Sequence, residues 1–206
     1  MFFLRAETVV RILLTILIGG TSRIGDVLLY RLSSLELRAV SDNLTHAIVG
    51  GLSWSLIVAL SGKSIVRNAF GIALCFVISS LIDLDHFLLA KSWRLRDARN
   101  LEGQRPILHC SSIPLLLFLI SAISYKVFHH SASGYYLWVI ITGFLSHHIR
   151  DATRRGMWFL FLGSTSPLPY HLYLFMAMAL PYSLHWLMPQ DFIQEDHRLQ
   201  PSVLHV

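Results

Sequence analysis

Apolar positions in this chain come in long, nearly unbroken runs separated by short, basic loops, the pattern of a bundle of membrane-spanning helices. The runs predict segments over residues 9–32, 44–60, 66–90, 107–128, 135–149 and 172–188. The first is the weakest, because Gly19-Gly20-Thr21-Ser22 interrupts it and Arg23 and Asp26 lie within it. Those two charges are three residues apart and can neutralise each other, and the pattern leaves open whether the segment crosses the membrane or lies on it. Asp42-Asn43 reads as the cap of the second segment. The third is the strongest, clean until Asp83-Leu84-Asp85-His86 near its end. Pro106 takes the tolerated first-turn position of the fourth, and Pro114 predicts a kink there. The fifth closes on Ser146-His147-His148-Ile149-Arg150-Asp151, and Pro167-Leu168-Pro169 leads into the last. The expected fold is all-α, a multi-pass transmembrane helical bundle of about five or six spans. It divides into an N-terminal segment (1–43), a polytopic membrane domain (44–188) and a polar tail (189–206).

Composition agrees: 54% apolar and 14% charged residues argue against a soluble domain. The net charge of +5 does not point to nucleic acid. Its arginines lie in loops beside apolar runs, where topology and anionic headgroups account for them, so the expected partner is membrane lipid. Cys75 and Cys110 form no disulfide or zinc spacing and read as packing residues. No cleavable signal peptide is expected, since the apolar run over residues 9–18 contains Arg11 and no small-x-small site follows.

Against this background the polar groups stand out. Successive crossings alternate sides, so His46 at the start of the second segment, Asp83, Asp85 and His86 at the end of the third, His109 at the start of the fourth, and His147 and Asp151 at the end of the fifth all fall at one face. Ionisable groups at membrane depth are costly and are usually paired, ligated or lining a polar cavity. Four histidines and three carboxylates on one side therefore point to a divalent metal site, and imidazole with carboxylate suits zinc, manganese or iron. His147 and Asp151 share a helix face, as do Asp83 and His86, but Asp85 points roughly 160° from Asp83, so all three serve one site only if the last turn unwinds. His148 faces elsewhere and reads as a supporting group. His129, His130, His185, His197 and His205 fall on the other side or in the tail. The excess of arginine and lysine on the shared side predicts a cytoplasmic face.

The series Thr45-His46 with Gly50, Asp83-x-Asp85-His86, Arg105-x-x-x-His109, and Ser146-His147-x-x-x-Asp151 with Thr153 and Gly156 resembles the YdjM-like membrane-bound, metal-dependent hydrolases over about residues 42–169. Asp42-Asn43-x-Thr45-His46-Ala47, Gln104-Arg105-Pro106-x-Leu108-His109-Cys110 and the Ser146 to Asp151 stretch look like the animal transmembrane protein 267 branch. The resemblance implies a metal site drawn from His46, Asp83, Asp85, His86, His109, His147 and Asp151, with Arg105 placed to meet an anionic substrate. The ligands expected are His46, Asp83, His86, His109, His147 and Asp151, with Asp85 and Arg105 as catalytic groups and zinc or manganese as the ion. The chain departs from the hydrolase pattern at Gln104, Pro106, Leu108 and Cys110, and Gln104 stands where the family tends to have histidine.

The function expected is hydrolysis of a lipid or phosphate-ester substrate, since Arg105, Arg150, Arg154 and Arg155 offer guanidinium forks that suit phosphate oxygens. A catalytically inactive member acting in structure or interaction is the alternative. An ion or proton pathway ranks third, because the centres of the third and fourth segments are mostly apolar.

Overall fold

In the computed structural model the described residues are 5–128 and 131–189. His129, His130 and the polar tail beyond residue 189 lie outside them. Long helical segments pack side by side as an all-α membrane bundle: α1 (Ala6–Arg31), α2 (Leu35–Leu60), α3 and α4 (Ala69–Leu81 and Leu84–Ala90), α6 (Ser112–Phe128), α7 (Ser131–Arg155) and α8 (Tyr170–Leu187). Among the described residues three stretches, Ala6–Arg31, Leu35–Leu60 and Ala69–Ala90, are long and apolar enough to cross a membrane. Between α4 and α6 run a short helix, α5 (Leu95–Arg99), and a 3-10 turn at Ile107–His109. A two-stranded antiparallel hairpin, β1 (Trp158–Phe159) with β2 (Gly163–Ser164), joins α7 to α8.

Several boundaries differ from those read off the sequence. α1 runs unbroken through Gly19-Gly20, packed against α2 and α8. Gly19 lies against the Met178 side chain of α8, so this glycine admits a neighbour rather than breaking the helix. α2 starts nine residues before position 44, capped by Ser34, whose Oγ accepts the Leu37 N–H at 3.0 Å. Asp42 and Asn43 are therefore side chains within a helix, free to serve the bundle interior. Pro114 falls in the first turn of α6, where its missing N–H breaks no intrahelical bond, so no kink follows from it.

Lipid tails are as apolar as leucine, so helices in a bilayer associate through close packing and interhelical hydrogen bonds. The contact of α2, α3 and α7 shows both. A Cβ on Gly50 would meet Ser79 Oγ, and one on Gly143 would meet Ile78 Cγ2 at 2.8 Å. Through that gap Ser79 Oγ donates to the Gly143 carbonyl at 2.9 Å and lies 2.9 Å from Ser146 Oγ. Around it Trp54, Leu56, Ile57, Cys75, Val139 and Ile141 form a buried core.

The third segment breaks at Ile82-Asp83, between α3 and α4. The Asp85 and His86 N–H groups bond the carbonyls of Ile82 and Asp83, each three residues back. That tighter winding turns the chain further per residue than an α-helix. It is an overwinding rather than the expected unwinding, and Asp83 joins one grouping while Asp85 and His86 join another, with His109 common to both.

Candidate metal centre

Each side chain of the cluster is aimed by its own backbone element. His147, fully buried on α7, has Nδ1 2.8 Å from the Ser79 carbonyl. A carbonyl only accepts, so Nδ1 carries the proton and Nε2 presents a lone pair. That Nε2 lies 3.2 Å from His109 Nε2, 3.6 Å from Asp83 Oδ1 and 3.5 Å from Asp151 Oδ2. His109 Nε2 in turn lies 3.5 Å from Asp83 Oδ1 and 3.3 Å from Asp151 Oδ2. One donor atom from each of Asp83, His109, His147 and Asp151 fits within 4.8 Å of the other three. Two facing imidazole nitrogens between two carboxylates need a cation, either a proton or a metal ion.

His46 belongs to the same wall. Its ring stacks on His147 with centroids 3.8 Å apart, and its Nε2 lies 3.4 Å from Asp151 Oδ1. It is buried, and neither ring nitrogen has a hydrogen-bond partner. A second grouping uses the opposite edge of His109: Nδ1 is 3.2 Å from Asp85 Oδ1, which is 3.3 Å from His86 Nδ1. Asp85 is only 4% exposed, and its Oδ2 accepts the Leu108 N–H at 2.7 Å. The His109 imidazole lies outside the helices. Burial by itself would lower its pKa, but Asp151, Asp83 and Asp85 around it raise it to about 11.

The structure thus brings together His46, Asp83, Asp85, His86, His109, His147 and Asp151, from four segments of the chain. His148 is buried beside them and has Nε2 2.8 Å from the Leu108 carbonyl, bracing the loop that carries His109. Arg105 lines the same cavity but spends one donor on the Arg155 carbonyl at 2.9 Å. Arg150, proposed from sequence as a phosphate contact, faces the interior instead. It is 2% exposed and bonds Asp26 at 2.8 Å, Asp42 at 2.9 Å and the Tyr173 hydroxyl at 3.2 Å. Arg154 bridges Asp42 at 2.6 Å and Asp151 at 2.7 Å. Asp42 was missed as a site residue because it reads as a cap. Its four-residue spacing from His46 placed both on one helix face and was the available signal.

The comparisons with known proteins agree with a membrane bundle. Proteins named Transmembrane protein 267 align with this chain, at 38% identity over 154 residues for the one from Bos taurus, covering 74% of this chain and 69% of that protein. The chain belongs to the transmembrane protein 267 family. The relative from Danio rerio is 36% identical over 168 residues, covering 79% of this chain and 74% of its own length. For the relative from Xenopus laevis the values are 38% over 146 residues, 70% and 66%. The chain spans about two thirds of the length of that relative. No protein-family model matches the chain, and no solved structure does. The family membership bears out the narrower of the two resemblances read from the motifs, and with it an integral membrane protein in contact with lipid.

Proposed function

We propose that the cluster is the divalent-metal centre of a membrane-embedded hydrolase acting on a phosphate ester, and that it faces the cytoplasm. The observation that carries the reading is the approach of His109 Nε2 and His147 Nε2 to 3.2 Å between the carboxylates of Asp83 and Asp151. The donor set, imidazole with carboxylate, suits zinc or manganese. His46 stands beside the set, since its buried ring nitrogens have no hydrogen-bond partner and its Nε2 lies 3.4 Å from Asp151 Oδ1. The likeness of the His/Asp motifs to YdjM-like metal-dependent hydrolases supports the same chemistry. An ion held there supplies Lewis-acid chemistry and activates water at neutral pH.

The chain's own groups do the rest. The Ser79 carbonyl fixes the ring of His147 so that Nε2 points inward. Arg154 holds one oxygen of Asp151 and leaves Oδ2 turned to His109 and His147. Asp85, beside His86 at 3.3 Å, is the proton acceptor for the attacking water. Arg105 at the cavity wall meets the anionic phosphate oxygens as the P–O bond breaks.

Elemental analysis of purified protein beside an Asp83→Ala, His147→Ala double variant tests the ion. At least one equivalent is expected in the wild type and almost none in the variant, while equally negligible metal in both sinks the reading. A panel of phosphate and acyl esters assayed with and without chelator then tests turnover, with chelator-sensitive phosphate release expected. Bound metal without turnover on any ester would favour the inactive-member reading.

A further inference from the structure

The cluster opens into a cavity of about 970 Å³ whose lining is mostly apolar. Val40, Leu44 and Ala47 follow one another along a single face of α2, and Phe76, Leu81 and Leu84 add apolar lining from α3 and α4, with Phe76 packed against Gly51 of α2. This apolar wall is not closed over: Val40 is 64% exposed, Leu44 48%, Leu81 48% and Leu84 43%. α2 and the α3–α4 segment are two of the stretches able to cross a membrane, so apolar side chains exposed on them meet acyl chains. The cavity therefore opens toward the surface that lipid covers along the groove over the α2/α3–α4 seam, which Asn43 ties together through Ser80 and Asp83.

The polar end carries the complementary charge. Arg38, Arg99, Arg105, Arg154 and Arg155 all line the cavity that Asp83, His109 and Asp151 also line. Arg154 is spent on Asp42 and Asp151. Glu36, Asp42, Asp83 and Asp151 line the same cavity, but among the described residues the other four arginines enter no ion pair and keep donors for an anionic ligand. A water-soluble phosphate ester has no use for an apolar wall that opens sideways, and a neutral lipid has no use for the arginines.

We infer that the substrate is a membrane lipid bearing an anionic phosphate headgroup, which enters sideways along the groove over the α2/α3–α4 seam. Its acyl chain lies along Val40, Leu44 and Ala47 against Phe76, Leu81 and Leu84, and its phosphate lies under the arginine rim beside Asp83, His109 and Asp151. This rests on the reading of the cluster as a hydrolytic metal centre and names the substrate class of that centre.

The test uses full-length protein in nonionic detergent micelles and measures retention of radiolabelled dioleoyl phosphatidic acid, with dioleoyl phosphatidylcholine and inorganic phosphate as comparison arms. Metal content is measured on every sample. Phosphatidic acid should be retained in preference to phosphatidylcholine, and inorganic phosphate should not displace it at equal concentration. Leu44→Trp with Leu84→Trp fills the apolar wall at exposed positions. Displacing two methylenes of the chain should weaken retention about tenfold with metal content unchanged. Arg99→Gln, which leaves the groove open, should bring the two lipids closer together in retention. Retention untouched by the tryptophans, or equal for the two lipids, overturns the inference and leaves the metal centre standing. Groove-dependent retention by a protein without metal overturns the hydrolytic reading and leaves a lipid-binding groove.

Discussion

Asp42 shows how much of the proposed site lies behind its candidate ligands. Its carboxylate accepts from Arg150 and Arg154 together, and Arg154 passes that anchorage to Asp151. Partners of this kind orient metal ligands and tune their basicity. Asp42→Asn should therefore lower metal affinity by about 10- to 100-fold with helix content unchanged, as measured by competition with a chromophoric chelator. Arg150 has a different consequence. Arg150→Met would take the guanidinium partner from Asp26, leaving it the Tyr170 hydroxyl, while Asp42 keeps Arg154; breaking this partly buried pair costs about 3 kcal/mol, to be read from thermal unfolding in detergent. His109, with its pKa raised to about 11, carries a proton at neutral pH in the ion-free protein. Metal uptake should release that proton, so affinity should rise with pH across the neutral range, as a titration in two buffers of different ionisation enthalpy would show.

At the level of elements, the site depends on a tight helix contact and on a broken helix. Gly50 and Gly143 let α2 and α7 close on α3, which brings the Ser79 carbonyl to His147. Gly50→Val puts branched carbons into the space of Ser79 Oγ and the Cys75 carbonyl. Overpacking of this kind costs about 1–3 kcal/mol, and a shift of α3 in response would carry the Ser79 carbonyl with it. Lower thermal stability together with weaker metal binding is the expected outcome, whereas loss of stability alone would separate the contact from the site. Sequence periodicity revealed the conflict between Asp83 and Asp85 but not its resolution. Whether the α-helix breaks at Ile82-Asp83 depends on His109 and the Leu108 N–H, which reach Asp85 from more than twenty residues away.

For the whole molecule, the proposed cytoplasmic orientation makes the loop around α5 the reporter. Cys75 and Cys110 are both buried, so a single cysteine placed in the stretch 94–105 can be labelled against a quiet background. An impermeant maleimide should reach it only from the cytoplasmic side, and labelling from the opposite side alone would reverse the topology.

The apolar runs by themselves determined that the chain is an all-α membrane bundle, because a bilayer leaves a buried backbone few other ways to satisfy its hydrogen bonds. Alternation of crossings also sent His46, Asp83, Asp85, His86, His109, His147 and Asp151 to one face, since each segment end carries its polar residues to a fixed side. Only the tertiary structure decided how those groups divide. The tilt and close approach of α2, α3 and α7 set which nitrogen faces which carboxylate. The Arg150 side chain found Asp26 and Asp42 inside the bundle rather than a ligand outside it. Contacts between side chains more than a hundred residues apart depend on packing geometry, which hydropathy along one chain does not encode.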